Sequence, residues 1–242
     1  MAHWRRGKLL DFDLETTGTD PGDDVPVSWA LVAMEGGTVT TSEIGLVNPG
    51  RPIPAAATAI HGITGEMVKE SGRDLGDTVF ALADTLVSAS QEGTPLVGMN
   101  LRYDLAMVSN LAKRFLGETL PDLGWDGPVL DVLVIDRHCD RFRKGPRKLA
   151  NLCEHYQVKA GGFHDAAADV KASLAVLLAE TEAYPDALSR DPREIHAAEA
   201  AWHREWAEGF SAWLVSKGKD PLSAEELAWP LPISEIHLGL GR

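Results

Sequence analysis

The sequence predicts a mixed α/β fold in which a five-stranded sheet carries helices on both faces. Three strand-like runs come first, and helical and strand-like segments alternate after them. This order is typical of a mixed sheet covered by helices. Hydrophobic residues make up 44% of the 242 residues, which is enough to form a core and argues against global disorder.

The strand-like runs cover residues 8–15, 26–34 and 38–47. Gly36 and Gly37 favour a turn between the second and third runs, so we expect an antiparallel meander. The apolar spacing then predicts a helix over 74–90 and a buried strand over 94–100. A helix over 103–117 ends at a glycine, and residues 128–136 look like a further strand. Two helices follow, over 147–158 and 164–184.

The pattern breaks at residues 185–192, which predicts a main domain over 1–184 and a short helical extension over 185–242 that packs on it. Trp202, Trp206, Phe210 and Leu214 recur every fourth residue, as on an amphipathic helix. We expect this apolar stripe to cover the core of the main domain.

Charge and cysteine content limit the function classes. Lys and Arg total 23 against 36 Asp and Glu, and the net charge of −13 argues against indiscriminate nucleic-acid binding. Cys139 and Cys153 are too few for a disulfide framework and match no common zinc pattern. No apolar run approaches a membrane span, so we expect a cytoplasmic protein with no membrane partner.

Acidic residues alternate along the first strand. Asp11, Asp13 and Glu15 must point to one face, because strand side chains alternate. Like charges at that separation repel, and their desolvation is costly. The run therefore needs a metal, a Lys/Arg cluster or water beside it.

More acids follow later strand-like segments. Asp104 begins a helix after a buried strand, and His164 and Asp169 lie around the start of another helix. These residues and the first-strand acids could meet at one edge of the sheet. Carboxylates without sulfur favour hard cations such as Mg²⁺ or Mn²⁺, and two such ions can support phosphoryl displacement. With no G-x-S-x-G motif, phosphodiester hydrolysis is the reaction that fits.

The segments "FDLETTG", "GMNLRYD" and "HDAAADV" resemble, in order and spacing, the three motifs of the DEDDh 3′→5′ exonucleases, a family that includes the proofreading epsilon subunit of bacterial DNA polymerase III. "AIHGIT" is similar to the family's His-Gly-Ile segment. The resemblance implies a ribonuclease-H-like fold and two divalent metal ions, Mg²⁺ or Mn²⁺.

The resemblance also implies roles for individual residues. Asp13 would bridge both metals, Glu15 and Asp169 would complete one metal's ligands, Asp104 would hold the other, and His164 would be the general base. Positions matching the pocket of the terminal nucleotide are Thr16, Thr17, His61, Asn100 and Tyr103.

The basic segment "DRHCDRFRKGPRK" stands out in an acidic chain. One interpretation is a solvated loop. The other is that Arg141 and Arg143 hold the phosphates of a single strand leading to the acids.

The expected function is a 3′→5′ exonuclease that acts on single-stranded or frayed DNA 3′ ends and releases 5′-mononucleotides. An exoribonuclease acting on short RNA or tRNA ends is the alternative, and a non-catalytic nucleic-acid-binding scaffold is a third. A phosphatase loop of the D-x-D-x-T type fits less well, because Glu15 occupies the Thr position. The epsilon subunit's clamp-binding peptide begins with Gln, and none follows Gln157, so a polymerase partner stays open.

Overall fold

A computed structural model of the chain describes residues 3–159 and 166–231. Within these residues a six-stranded mixed sheet has the order β4-β3-β2-β1-β5-β6. The strands are β1 (Lys8–Thr16), β2 (Pro26–Glu35), β3 (Thr38–Asn48), β4 (Arg73–Asp74), β5 (Leu96–Gly98) and β6 (Val129–Asp131).

Helices follow or separate the strands and cover both faces of the sheet. They are α1 (Ala55–His61), α2 (Gly65–Ser71), α3 (Leu75–Gln91), α4 (Leu101–Leu116), α5 (Val132–Cys139), α6 (Leu149–His155), α7 (Ala166–Ala183), α8 (Pro185–Leu188), α9 (Pro192–Ser216) and α10 (Ala224–Leu227). In the described part of the chain, no helix is long and apolar enough to cross a bilayer.

Strand register brings three carboxyl ends to one edge of the sheet. β1 runs antiparallel to β2, with Asp13 opposite Ala30, and parallel to β5, with Leu10 opposite Leu96. β5 in turn runs parallel to β6. The ends of β1, β5 and β6 therefore lie at the same edge, which we call the carboxyl edge.

Two core clusters lie on opposite faces of the sheet. Phe12 and Leu14 of β1 pack into a cluster with apolar residues of α3 and α4. On the other face, Leu9 belongs to a cluster containing residues of α5, α6 and α7. The predicted α/β fold with helices on both faces is confirmed.

Two features of the sheet differ from the prediction. The additional strand is β4, a two-residue segment paired with the end of β3. The expected strand over 128–136 stops at Asp131, and α5 begins there because the Asp131 side chain accepts a hydrogen bond from the Leu133 amide. A carboxylate in this position caps a helix and ends the strand.

The long helix α9 packs along β6 and α5. Its buried residues are Ile195, Glu199, His203 and Ala207, spaced four apart. Trp202 packs against both core clusters. Phe210 does not, because it lies beyond the last buried residue of the helix and is exposed.

Candidate active site

Three carboxylates meet at the carboxyl edge. Asp13 and Glu15 lie two residues apart on β1, and Asp169 lies in the first turn of α7, which packs across β1. Each offers one oxygen, and these oxygens lie within 4.8 Å of one another. The structure thus brings together acids that are more than 150 positions apart in the sequence.

A fourth acid faces this cluster. Asp104 is buried in the first turn of α4 and lies near the backbone of Leu14. Burial raises the pKa of Asp13 well above its usual range, and the negative charges of Asp104 and Glu15 raise it further. Burial likewise raises the pKa of Asp104. Both shifts have the same causes, which are the burial of the carboxylates and their mutual repulsion.

The donor chemistry of this cluster fits a divalent cation. Asp13, Glu15 and Asp169 supply carboxylate oxygens only, with no sulfur or imidazole among them. Such ligands suit hard cations with six or more oxygen donors. A cation there would also remove the electrostatic penalty that raises the pKa of Asp13.

Asp11 is separate from the cluster, although it lies on the same face of β1. It is fully buried, and the Ser173 hydroxyl on α7 donates a hydrogen bond of 2.5 Å to its Oδ2. Burial raises the pKa of the Asp11 carboxyl, and the Ser173 bond acts in the opposite direction. Its contact is therefore a helix–sheet packing contact.

Three of the expected nucleotide-binding residues surround the end of β1. The Tyr103 hydroxyl donates to the Gly18 carbonyl at 2.5 Å and lies 3.3 Å from the Thr16 hydroxyl. His61 adjoins the Thr16 backbone, and burial lowers the pKa of its imidazole. The Ile63 amide donates to His61 Nδ1 at 3.0 Å and fixes the ring.

The other two expected residues, Thr17 and Asn100, differ in exposure. The Thr17 side chain is buried, and its hydroxyl donates to Asp24 Oδ1 at 2.7 Å, which holds the loop after β1. Asn100 adopts the left-handed conformation, with φ of 61°, at the start of α4. Its side chain is exposed beside the edge, so the structure leaves it accessible to a substrate.

Asp131 is not among the residues expected from the sequence, and it supports the turn at the start of α4. Its carboxylate accepts hydrogen bonds from the backbone amides of Asn100 and Leu101 at 2.9 and 3.0 Å. Glu199 of α9 accepts from the Asp131 amide at 2.8 Å. This network fixes the turn that carries Asp104. In the sequence, the sign that Asp131 has a role is the presence of an acid within an apolar run.

The two expected phosphate-binding arginines have different surroundings. The Arg143 side chain is 13% exposed and forms an ion pair with buried Asp136 at 2.6 Å. Arg147 also pairs with Asp136. Arg141, in contrast, is exposed and contacts Glu205 at 3.4 Å.

His164, the expected general base, lies outside the described residues. α7 begins two residues after it, at Ala166, and carries Asp169 into the cluster. The described residues therefore account for the four acids of the expected set.

Comparison with known proteins places this site in a family. The family model for exonucleases, RNase_T, matches residues 10–177. This range contains every acid of the cluster.

Curated relatives match the same region. A "DNA polymerase III subunit epsilon-like protein" of Rhodobacter capsulatus is 39% identical over 129 residues, which are 51% of this chain and 16% of the relative. A "3'-5' exonuclease DinG" of Bacillus subtilis is 29% identical over 175 residues, 71% of this chain and 17% of the relative. The chain thus spans about a sixth of the length of these two relatives.

A solved structure shares the fold. Exonuclease I of E. coli, in complex with a dT13 oligonucleotide, superposes with a TM-score of 0.65 at 23% identity, covering 74% of this chain and 42% of that one. At this identity the likeness shows the fold. The match of the family model over more than half of the sequence shows that the chain belongs to the exonuclease family.

Proposed function

We propose that the protein is a metal-dependent 3′→5′ exonuclease that hydrolyses the terminal phosphodiester of single-stranded or frayed DNA and releases 5′-mononucleotides. The observation that carries the proposal is the convergence of Asp13, Glu15 and Asp169 within 4.8 Å at the carboxyl edge. Open α/β sheets usually bind their ligands at this edge.

The four acids would hold two divalent cations, Mg²⁺ or Mn²⁺. Asp13 would contact both, Glu15 and Asp169 would complete the ligands of one, and Asp104 would hold the other. When bound, such ions supply a lowered pKa for the attacking water and charge neutralisation at the phosphate. The cost of burying these acids in the metal-free protein supports this assignment.

The remaining residues would position the substrate and move a proton. His164 would accept the proton of the attacking water, as a neutral imidazole can near pH 7. Thr16, His61 and Tyr103 lie together at the end of β1, where they would hold the terminal nucleotide. The exposed Arg141 would contact the phosphates of a longer strand.

DNA is the proposed substrate because the name of one relative refers to DNA polymerase III and that of the superposed structure to an oligonucleotide of thymidine. An RNA strand carries the same phosphodiester, so the test includes both. Binding without shortening would favour a scaffold instead.

The test is digestion of a 5′-labelled single-stranded oligonucleotide with Mn²⁺ or Mg²⁺. We expect a ladder that shortens from the 3′ end, faster on DNA than on RNA of the same sequence. Asp13→Asn should abolish the ladder. Asp11→Asn is the matched control, because it changes the same residue type on the same strand face and should retain cleavage. Cleavage that survives Asp13→Asn would contradict the proposal.

We also propose that residues 1–184 form the exonuclease domain and that residues 185–242 form an extension packed on it. Leu188 and Ile195 support this, because both are fully buried in the cluster that contains Leu130. A chain ending at Tyr184 should then unfold at a lower temperature than the full chain, by loss of this apolar contact. An unchanged melting temperature would argue against packing of the extension.

A further inference from the structure

A row of aromatic rings near the end of α9 has no role in the proposed catalytic site. Trp206 and Phe210 stack with ring centroids 5.3 Å apart, and Phe210 and Trp213 with centroids 5.6 Å apart. Phe210 is 36% exposed and Trp213 is 49% exposed. The last buried residue of α9 is Ala207. Among the described residues, this row therefore keeps much of its ring surface open to solvent.

Cationic side chains adjoin the row. The guanidinium of Arg137 lies 3.6 Å from the centroid of the Trp206 ring, in a cation–π contact. Arg141 is exposed, and its ion pair with Glu205 is exposed on both sides, so the pair is weak and its arginine can turn to a phosphate. Phe142, which is 86% exposed, lies under Arg141. Aromatic and basic groups thus alternate on one surface.

A cleft lies along this surface. It has a volume of about 320 Å³, comparable with the smaller ligand sites of proteins. Its lining combines aromatic rings with basic side chains and contains one acid, Glu205, which is paired with Arg141. The other residues that the argument uses are Arg137, Trp202, Trp206 and Phe210. A planar, negatively charged unit is the ligand whose chemistry matches these walls.

The direction of α9 places the row on the catalytic side of the molecule. The Val129 amide, at the start of β6, donates to His196, and the Asp131 amide, at its end, donates to Glu199. The helix therefore runs parallel to β6 and passes the carboxyl edge after Glu199. Trp206 and Trp213 lie 7 and 14 residues later, about 10 and 20 Å beyond the edge.

We propose that Trp206, Phe210 and Trp213, with Arg137 and Arg141, form a binding strip for single-stranded nucleic acid whose 3′ end lies in the catalytic site. This deepens the proposed function and rests on it for the direction of the strand. The rings would stack on bases without regard to sequence, and the arginines would neutralise phosphates. The strip would explain how a chain of net charge −13 retains a long polyanion.

The test measures binding separately from cleavage. The full chain and a Phe210→Ala/Trp213→Ala double variant are titrated, in EDTA, into a 12-nucleotide DNA strand labelled at its 5′ end. We expect the double variant to raise the Kd about tenfold or more by fluorescence anisotropy. Phe80→Ala is the matched control, since Phe80 is a 60% exposed aromatic residue on α3, and its Kd should equal that of the wild type. Circular dichroism is used to check that each variant is folded.

Cleavage of two lengths gives a second readout. With Mn²⁺, the double variant should raise KM for the 12-nucleotide strand and leave hydrolysis of a dinucleotide unchanged. Trp213 lies about 20 Å beyond the edge, which is farther than a dinucleotide held at the acids would extend. An equal Kd for wild type and double variant would overturn the strip, whether or not the chain cleaves. If the double variant loses binding and the wild type binds but cleaves nothing, the strip is supported and the proposed exonuclease activity is refuted.

Sedimentation tests whether a second copy of the chain, and not nucleic acid, covers the aromatic row. We expect the wild type and the double variant to have the same mass in solution. If the wild type is a dimer and the double variant a monomer, the row is a contact between copies of the chain and the proposal is overturned.

Discussion

The carboxyl group of Asp13 is held where ionisation is costly. It is partly shielded from water and faces the charges of Asp104, Glu15 and Asp169. A raised pKa means that the folded state binds this proton more tightly than the unfolded state, so the metal-free fold gains stability as pH falls through that range. At neutral pH the same repulsion works against the fold.

We expect Asp13→Asn to stabilise the metal-free protein at pH 7. Removing one charge relieves the repulsion, and one pKa unit corresponds to about 1.4 kcal/mol. The melting temperature in EDTA should rise by about 2–4 °C for each kcal/mol gained. Asp84→Asn, at an exposed position of α3, is the control and should change it little. A lower melting temperature for Asp13→Asn would mean that Asp13 has a structural role.

Asp131 acts on the site through backbone rather than through substrate. Its carboxylate accepts from the amides of Asn100, Leu101 and Leu133. Asp131→Asn replaces one acceptor oxygen by an NH₂ group that faces donors, which should cost about 1–3 kcal/mol of stability. We expect kcat to fall while the pH profile of cleavage keeps its shape, because Asp131 positions Asp104 and takes no proton from substrate.

Urea denaturation and steady-state kinetics measure the two effects of Asp131→Asn. Asp84→Asn is a suitable control, since Asp84 is exposed on α3. A shifted pH optimum in Asp131→Asn would contradict a purely positioning role.

At the scale of elements, the segment between α5 and α6 is held by a buried ion cluster. Arg143 and Arg147 both contact Asp136, which is fully buried, and the Tyr156 hydroxyl donates to it at 2.8 Å. Removal of one partner from such a cluster leaves a buried charge poorly compensated. The basic segment is therefore partly a structural unit and partly an exposed surface.

A pair of equivalent substitutions separates these two parts. Arg143→Met should lower the free energy of unfolding by about 3 kcal/mol, within the range for broken buried pairs. Arg141→Met should change it by less than about 1 kcal/mol, because its ion pair is exposed. Urea denaturation of both variants tests this. Equal decreases in the free energy of unfolding would mean that the buried ion pair of Arg143 stabilises the fold no more than the exposed pair of Arg141.

Element prediction succeeded where periodicity and end signals agreed. α4 begins and ends close to the predicted bounds. It ends where expected because Gly117, with φ of 83°, caps its last turn. The apolar run over 128–136 predicts one strand, although a short buried run fits a strand and a buried helix equally well. Asp131 decides between them by capping α5, and its neighbours in space come from α4 and α9, which local sequence does not reveal.

The acids were predictable because two of them alternate along β1 and the other two, Asp104 and Asp169, each lie in the first turn of a helix. Asp13 and Glu15 show their shared face directly in the alternation of β1. The inward role of Arg143 was not predictable, since the charge of an arginine does not indicate whether its partner is a phosphate or the buried Asp136. The exposure of Phe210 was missed for a similar reason: the spacing of a stripe does not show where the helix leaves the domain.

At the scale of the whole molecule, α9 joins the C-terminal part of the chain to the sheet. The Val129 amide donates to His196 Nδ1 at 3.1 Å. Burial, and to a lesser extent the charge of Arg193, lowers the pKa of the His196 imidazole to about 4. The ring therefore docks α9 in its neutral form.

We expect this histidine to make the fold sensitive to mild acid. Between pH 6.5 and 4 the unfolded chain takes up a proton on His196 and the folded chain does not, so the free energy of unfolding falls by up to about 1.4 kcal/mol per pH unit. His196→Asn keeps an acceptor for the Val129 amide and removes this proton uptake. Urea denaturation from pH 7 to pH 4 gives the free energy of unfolding of the wild type and of His196→Asn. The difference between these two free energies should change by up to about 1.4 kcal/mol per pH unit. Parallel curves would contradict the assignment.

The placement of β1 in the middle of the sheet has a consequence for how the protein would take up metal. A strand with neighbours on both sides, such as β1 between β2 and β5, belongs to the region whose amides exchange with deuterium last. Asp13 and Glu15 are thus anchored to the slowest-opening part of the backbone. Ion uptake would then require little ordering of the chain, and loading would follow the free cation concentration by mass action.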